Sequence, residues 1–269
     1  MLGGAAVGLV VLGLILFFVL GGGRPTPSPT PTNQVPEVVL KAVTSPSPAV
    51  VAAVGTGGNP VDLTRVAATT TLKDPSGKPL VVYVGAEYCP FCAAERWSLI
   101  MALARFGTFH NLSETTSSST DVYPNTSTFT FHGASYTSPD VAFQPVEIQD
   151  RNGQPLETPP AQVSQLFDTY DQPPYTVTSR GIPFLDIAGR FVLKQTSYSP
   201  QVLQGLTWDQ IAAALSDPNS PVTRAIVGNA NTLTAAVCSV TGNQPSAACA
   251  LPAIQAIETE LNALPPVGG

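Results

Sequence analysis

The sequence predicts an α/β domain, and three stretches carry that prediction. Val81 to Gly85 is a short apolar run rich in β-branched and aromatic residues, the pattern of a buried strand. Cys89-Pro90-Phe91-Cys92 then opens a helical pattern in which Trp97, Ile100, Met101 and Ala104 recur on one face. Farther along, two apolar runs, Ile182–Ile187 and Phe191–Leu193, flank Ala188-Gly189 as a hairpin signal, and a helical pattern follows.

Composition narrows the function classes. The 269 residues carry 12 Lys+Arg against 18 Asp+Glu, with no basic cluster, which argues against nucleic-acid binding because phosphate contacts need grouped positive charge. Only 11% of residues are charged, while 27 Pro, 22 Gly and many Ser and Thr imply long loops and a weakly charged polar surface.

Residues 1–23 contain no charged side chain, long enough as a helix to cross a hydrocarbon core of about 30 Å. A cleaved signal peptide would normally show a basic start and an Ala-x-Ala-like site; neither is clear, so the expectation is a single-pass transmembrane anchor. Residues 24–45 then read as a Pro/Thr/Ser-rich linker, its alternating prolines favouring an extended polyproline spacer. The folded domain is expected over 46–269, on the extracytoplasmic side of the cell membrane, where a disulfide-type cysteine pattern fits best.

Within it, Val38–Val54 reads as a strand or irregular edge, and the Asp74–Lys78 turn leads into the central strand. The helix from Cys89 is expected to run to about Phe106. Thr126–Phe131 alternates as a strand, and Val141–Gln149 reads as another, with Pro145 confining it to an edge or a bulge. Ala161–Tyr170 is a short helix. Thr207-Trp208-Asp209-Gln210 is a capping box, and two helical patterns, about Val222–Val240 and Pro252–Leu264, form a C-terminal hairpin over about 222–265.

The chemistry lies in the cysteines. At the start of a helix, free N–H groups and the positive end of the dipole stabilise a thiolate on Cys89, and Cys92 lies one turn on, placed to close a disulfide. Pro90 suits the first turn. Redox dithiol, inert disulfide and half of a zinc site are the three readings. Zinc needs two more ligands, and Cys238 with Cys249 lacks the usual knuckle spacing, while His110 and His132 stand alone in the sequence. A disulfide clamping two helices is the expected role of Cys238 and Cys249, a second redox pair the sharper one. Glu87 and Glu95 read as surface residues, or less simply as proton carriers for Cys92.

This order resembles the thioredoxin fold: a strand, Cys89-Pro90-Phe91-Cys92 on a helix start, then Gly181-Ile182-Pro183-Phe184 opening a hairpin that precedes a helix. It is similar in more detail to a family of membrane-anchored thioredoxin-like proteins of archaea and some bacteria, labelled a domain of unknown function. Residues 88–97, 121–131, 181–187 and the Cys238/Cys249 tail carry that likeness. The resemblance implies a mixed central sheet flanked by helices, a cis Ile182–Pro183 bond beside the dithiol, and a large insertion at about 110–175, because the interval from Cys92 to Pro183 is longer than in thioredoxin. It also implies a thiol–disulfide oxidoreductase in which Cys89 is the nucleophile, Cys92 the resolving thiol, and Pro183, Tyr88, Phe91 and Ile182 the surface that meets substrate. A protein or small thiol would be the substrate and a membrane redox protein the partner; no metal and no dissociable cofactor is implied. The competing expectation is a binding module of the same fold with Cys89–Cys92 as a permanent staple.

Overall fold

The computed structural model describes residues 34–268, so the anchor expected at 1–23 and the spacer's first ten residues lie outside the described part. Among the described residues no single helix is long and apolar enough to cross a membrane.

The first elements differ from expectation. Glu37–Thr44 (α1) and Pro48–Val54 (α2) are helices, not the end of a spacer followed by an edge strand. Val39, Val43, Val50 and Val51 point into the main core, and Asn231 donates to the carbonyls of Val51 and Gly55 at 3.1 and 2.8 Å. The expected linker of 24–45 therefore yields its last residues to the domain, whose contacts already include a bridge from Gln34 to Ser113.

Leu63–Arg65 (β1) and Leu80–Gly85 (β2) come next, and β2 is buried throughout, as its apolar run dictates. Pro90–Leu103 (α3) follows; all of its residues except Phe91 are buried. Thr108–His110 (β3) pairs with Ser135–Thr137 (β6), and Ser113–Thr116 (β4) pairs with Ser127–Thr130 (β5), as two small sheets. Ala142–Glu147 (β7) runs parallel to β2 along its full length. Ala161–Tyr170 (α4), Phe184–Ile187 (β8) and Phe191–Leu193 (β9) complete the sheet, whose order is β1-β9-β8-β2-β7. The sheet is mixed: β2 and β7 are parallel, the other pairings antiparallel. Pro145 sits on the outermost strand, where its missing N–H removes no ladder bond from the middle of the sheet.

The segment expected to be one insertion at 110–175 is thus not one appendage. Its small sheets are added structure, but β7 is a strand of the main sheet and α4 covers that sheet's second face. Alternation along β2 explains the layering. Val81 and Tyr83 face the large core with Trp97 and Ile100, whereas Leu80, Val82 and Val84 face a second core with Val146, Val163 and Phe184.

The β8–β9 hairpin turns through Ala188 and Gly189, both at positive φ (57° and 65°), as a mirror-image turn requires, with Arg190 N–H closing it on the Ile187 carbonyl at 3.0 Å. Trp208–Ala214 (α5) starts with the expected capping box. Pro221–Thr241 (α6) packs on α3 and on Pro252–Ala263 (α8), and a short helix, Ser246–Cys249 (α7), lies between them.

Candidate functional site

The end of β2 delivers the chain to the dithiol. Gly85 is required there, since a Cβ would run into the Tyr83 ring and hydroxyl. The turn that follows is held by Glu87 N–H donating to Gln149 O at 2.9 Å and Cys89 N–H to Ala86 O at 3.3 Å. Cys89 then serves as the N-cap of α3, with Pro90 in the first turn: the Cys89 sulfur accepts from the Cys92 N–H at 3.2 Å.

Both thiols are free and both are covered, Cys92 completely and Cys89 to 5% exposure. Cys89 is therefore the one a partner reaches. Its thiol lies 3.8 Å from the carbonyl oxygen of Ile182, and the Ile182–Pro183 bond is cis. The loop carrying that bond is tied by Arg180 N–H donating to the Asp171 carbonyl at 2.9 Å. The buried Asp171 carboxyl lies on the same loop, and its pKa rises to about 6, mainly through burial, against the lowering effect of Thr176 and the Gly181 N–H. So Cys89, Cys92, Ile182 and Pro183, some ninety residues apart in sequence, form one site.

Tyr88 and Phe91 flank it, each half-buried. The Tyr88 carbonyl accepts from Ser118 N–H at 2.9 Å, and Phe91 meets Tyr123 edge to face at 6.1 Å between ring centres. Beside Tyr88 opens a groove of about 660 Å³ lined by Ser118–Val122 on one side and Gln149 and Arg151–Gly153 on the other.

Electrostatics separate the two thiols. The Cys89 pKa is lowered, first by a hydrogen bond from the Cys92 thiol, against the opposing effect of burial, and then by the Cys92 N–H and the Arg96 charge. Cys92 moves the other way, well up, because burial and its role as donor to Cys89 both favour its neutral form. A nucleophile that ionises beside a partner that keeps its proton is the division of labour that thiol exchange needs.

The sequence did not reveal the ion pair under this site. Arg96, one turn after Cys92, and Glu147, at the end of β7, are both fully buried and joined by two bonds, Nε–Oε1 at 2.8 Å and Nη2–Oε2 at 2.6 Å. The i+4 spacing of Arg96 from Cys92 was visible in the sequence; its acidic partner 51 residues on was not. Glu95 also differs from expectation. It is 1% exposed, with both oxygens receiving Asn229 Nδ2 at 3.0 and 3.1 Å, and its pKa is pushed up to about 7 by burial. It turns toward α6, away from the role of solvated surface acid. Glu87 is half-exposed.

Cys238 and Cys249 are joined as a disulfide, each buried. His132 faces Glu157 at 2.6 Å and His110 faces Thr137 at 3.1 Å. Among the described residues no three His, Cys, Asp or Glu side chains gather as metal ligands.

No curated protein and no solved structure matches the chain. A family model does: the one described as Domain of unknown function (DUF929) matches residues 68–239, which hold the central sheet except β1, the Cys89–Cys92 helix and the Ile182–Pro183 loop. That match spans well over half of the sequence, and the chain belongs to this family.

Proposed function

We propose that the protein is a thiol–disulfide oxidoreductase of the thioredoxin-like superfamily, anchored by residues 1–23 with its domain on the extracytoplasmic side. The order of elements supports the fold reading: strand, cysteine helix, parallel strand, helix, antiparallel hairpin, helix. The Cys238–Cys249 disulfide supports the compartment, since such bonds persist in oxidising surroundings.

One observation carries the chemistry: the Cys89 sulfur sits at the N-cap of α3, accepts the Cys92 amide, and lies against the carbonyl of a cis Ile182–Pro183 bond. In the reducing direction the Cys89 thiolate attacks one sulfur of a substrate disulfide, forms a mixed disulfide and expels the other substrate sulfur as a thiolate, which takes up a proton. Cys92 then loses its proton and attacks Cys89 Sγ; the Cys89–Cys92 disulfide forms and the second substrate thiolate leaves. Two electrons pass from the dithiol to the substrate. Oxidation is the same sequence run backward, with a membrane redox protein re-oxidising or re-reducing the pair. The Ile182 backbone beside the sulfur offers an extended substrate chain a carbonyl to pair with.

The deep burial of both sulfurs favours a second reading, a binding module in which the pair closes once as a staple. Two measurements separate them. In the first, Cys92→Ala accumulates mixed disulfides through Cys89, seen on non-reducing gels. In the second, titration of the full chain in dithiothreitol buffers places the pair above about −300 mV, outside the range of structural disulfides. No trapped species together with a lower potential would overturn the enzyme reading in favour of the staple.

A further inference from the structure

Below the two sulfurs lies a charge that the thiol exchange scheme does not use. Arg96 follows Cys92 by one helical turn and so lies on the same side of α3. It is fully buried, its Nε and Nη2 are taken by Glu147, and its Nη1 is buried with no hydrogen-bond partner among the described residues. The Tyr83 ring lies 5.9 Å from its guanidinium carbon. A guanidinium held in the interior remains charged: burial opposes the charge most strongly, and Glu147 together with Tyr83 and Cys92 outweighs it. Solvent does not screen it there, so its field reaches the sulfurs above.

The groups that act on the dithiol come from several elements. From its own helix come Arg96 and the N–H groups of Phe91 and Cys92; from β2 comes the neutral phenol of Tyr83; from the turn come the Ala86 backbone and Tyr88; from the loop comes the Ile182 carbonyl. Glu147, from β7, acts on Arg96, and Glu87 in the turn acts on Glu147. Glu95, next to Arg96 in sequence, turns toward Asn229. Arg96 is the one cation in this set, and Glu147 is the anion set against it.

We propose that Arg96 and Glu147 set the redox poise of the Cys89–Cys92 pair: Arg96 is the cation that favours the reduced, ionised dithiol, and Glu147 is the anion that limits its effect. Both are positioning residues, acting through the sulfurs and touching no substrate. The proposal rests on the redox reading of the pair, and it assigns that pair an oxidising bias. Stabilising the reduced dithiol makes the disulfide a stronger acceptor of electrons. Because Glu147 arrives from β7, the poise is also tied to the parallel pairing of β7 with β2 that brings it there.

The test compares three variants of the full chain, each checked for native circular dichroism. Two quantities are read: the pH dependence of Cys89 alkylation in the reduced protein, and the exchange equilibrium with dithiothreitol. Arg96→Met is expected to lower the Cys89 thiolate fraction at fixed pH about tenfold and to shift the exchange equilibrium about tenfold toward the disulfide, about 30 mV more reducing. Glu147→Gln is expected to move both quantities the opposite way, and Arg96→Lys to restore most of what Arg96→Met loses. A generic loosening of the site would move the methionine and glutamine variants in the same direction; that outcome, or shifts under twofold in both, overturns the proposal. Should Arg96→Met fail to fold, Glu147→Gln decides alone, and an unchanged or less acidic Cys89 overturns it. Alkylation needs no substrate, so this result stands apart from the trapping experiment: absent mixed disulfides would defeat the enzyme reading while leaving the charge effect measurable.

Discussion

The two cysteine pairs of this chain sit at opposite ends of helices. Cys89 caps the first turn of α3 and Cys92 lies just inside it, so both sulfurs face the unpaired N–H groups and positive pole of a helix. Cys238 lies in the last turn of α6 and Cys249 is the last residue of α7, where free carbonyls set a negative pole. The Cys238 carbonyl is occupied in ending its helix, accepting from Gly242 N–H and from Asn243 N–H. Both pairs are buried, so burial does not tell them apart. What differs is whether the surroundings favour or oppose a thiolate, and the proposed function assigns exchange to the first pair and lasting closure to the second on that difference.

The largest effect expected from this contrast is on exchange. Cys89→Ser should abolish disulfide exchange with a model thiol, whereas Cys238→Ser with Cys249→Ser should leave the Cys89 alkylation rate within twofold of wild type. If the double variant instead slowed Cys89, the two pairs would be communicating, and the separation of roles drawn from their helix ends would fail. In stability the ranking reverses. Closing a loop of separation 11 stabilises by about 3 kcal/mol in the chain-entropy model, so the double variant should lose roughly that much in urea unfolding. Reduction of the Cys89–Cys92 pair should cost less, about 2 kcal/mol in the same model, since its loop is only four residues.

What the sequence showed follows the range of the forces involved. The β2 strand, the Cys89 helix start, the Ala188-Gly189 turn, the helix over 161–170 and the Thr207 capping box all rest on neighbours within a few residues, and each was legible. Residues 38–54 were not. Their valines argue for a strand, yet Val39, Val43, Val50 and Val51 find a core to fill at helical spacing, and packing overrides propensity. Glu95 departs from the surface expectation for a related reason. A glutamate on a helix is solvated when the helix has a wet face, and α3 is covered almost all round by the sheet, the β4–β5 ribbon and α6. The Arg96–Glu147 pair depends on β7 lying parallel to β2, a pairing whose register no local pattern specifies.

Glu95 offers the next test, because it places a titrating charge on the cysteine helix without aiming it at the sulfurs. Its folded pKa of about 7 stands above the ordinary carboxylate value, so its neutral form is the one the fold prefers. The stability it contributes is therefore complete below the unfolded pKa and is lost as pH rises through about 7. Glu95→Gln should match wild type near pH 4 and exceed it by about 3 kcal/mol at pH 8, read by urea unfolding at both pH values. Asp186, buried and also raised to about 7, leaves a residual slope of the same sign in the variant. Cys89 acidity should not follow. A matching change in alkylation would mean that any buried charge on α3 tunes the pair, and the special place given to Arg96 would go.

The smallest effect asks whether the reactive pair notices loosening nearby. Thr207 accepts from Gln210 N–H at 3.3 Å while Gln210 Oε1 receives Thr207 N–H at 2.9 Å, and the next residue, Trp208, donates to the Thr128 carbonyl at 2.6 Å. Thr128 in turn donates to the carbonyl of Ala93, the residue after Cys92. Two hydrogen bonds in series, through Trp208 and Thr128, thus join the cap of α5 to the first turns of α3. Thr207→Ala removes the cap and should cost about 1 kcal/mol in urea unfolding. The indole bond to Thr128 persists, so the helix start stays pinned and Cys89 alkylation should remain at the wild-type rate at every pH. A shifted profile with so small a loss of stability would show that the thiol's acidity depends on how firmly α3 is seated. The contrast between the two pairs would then be one of rigidity as well as of helix polarity.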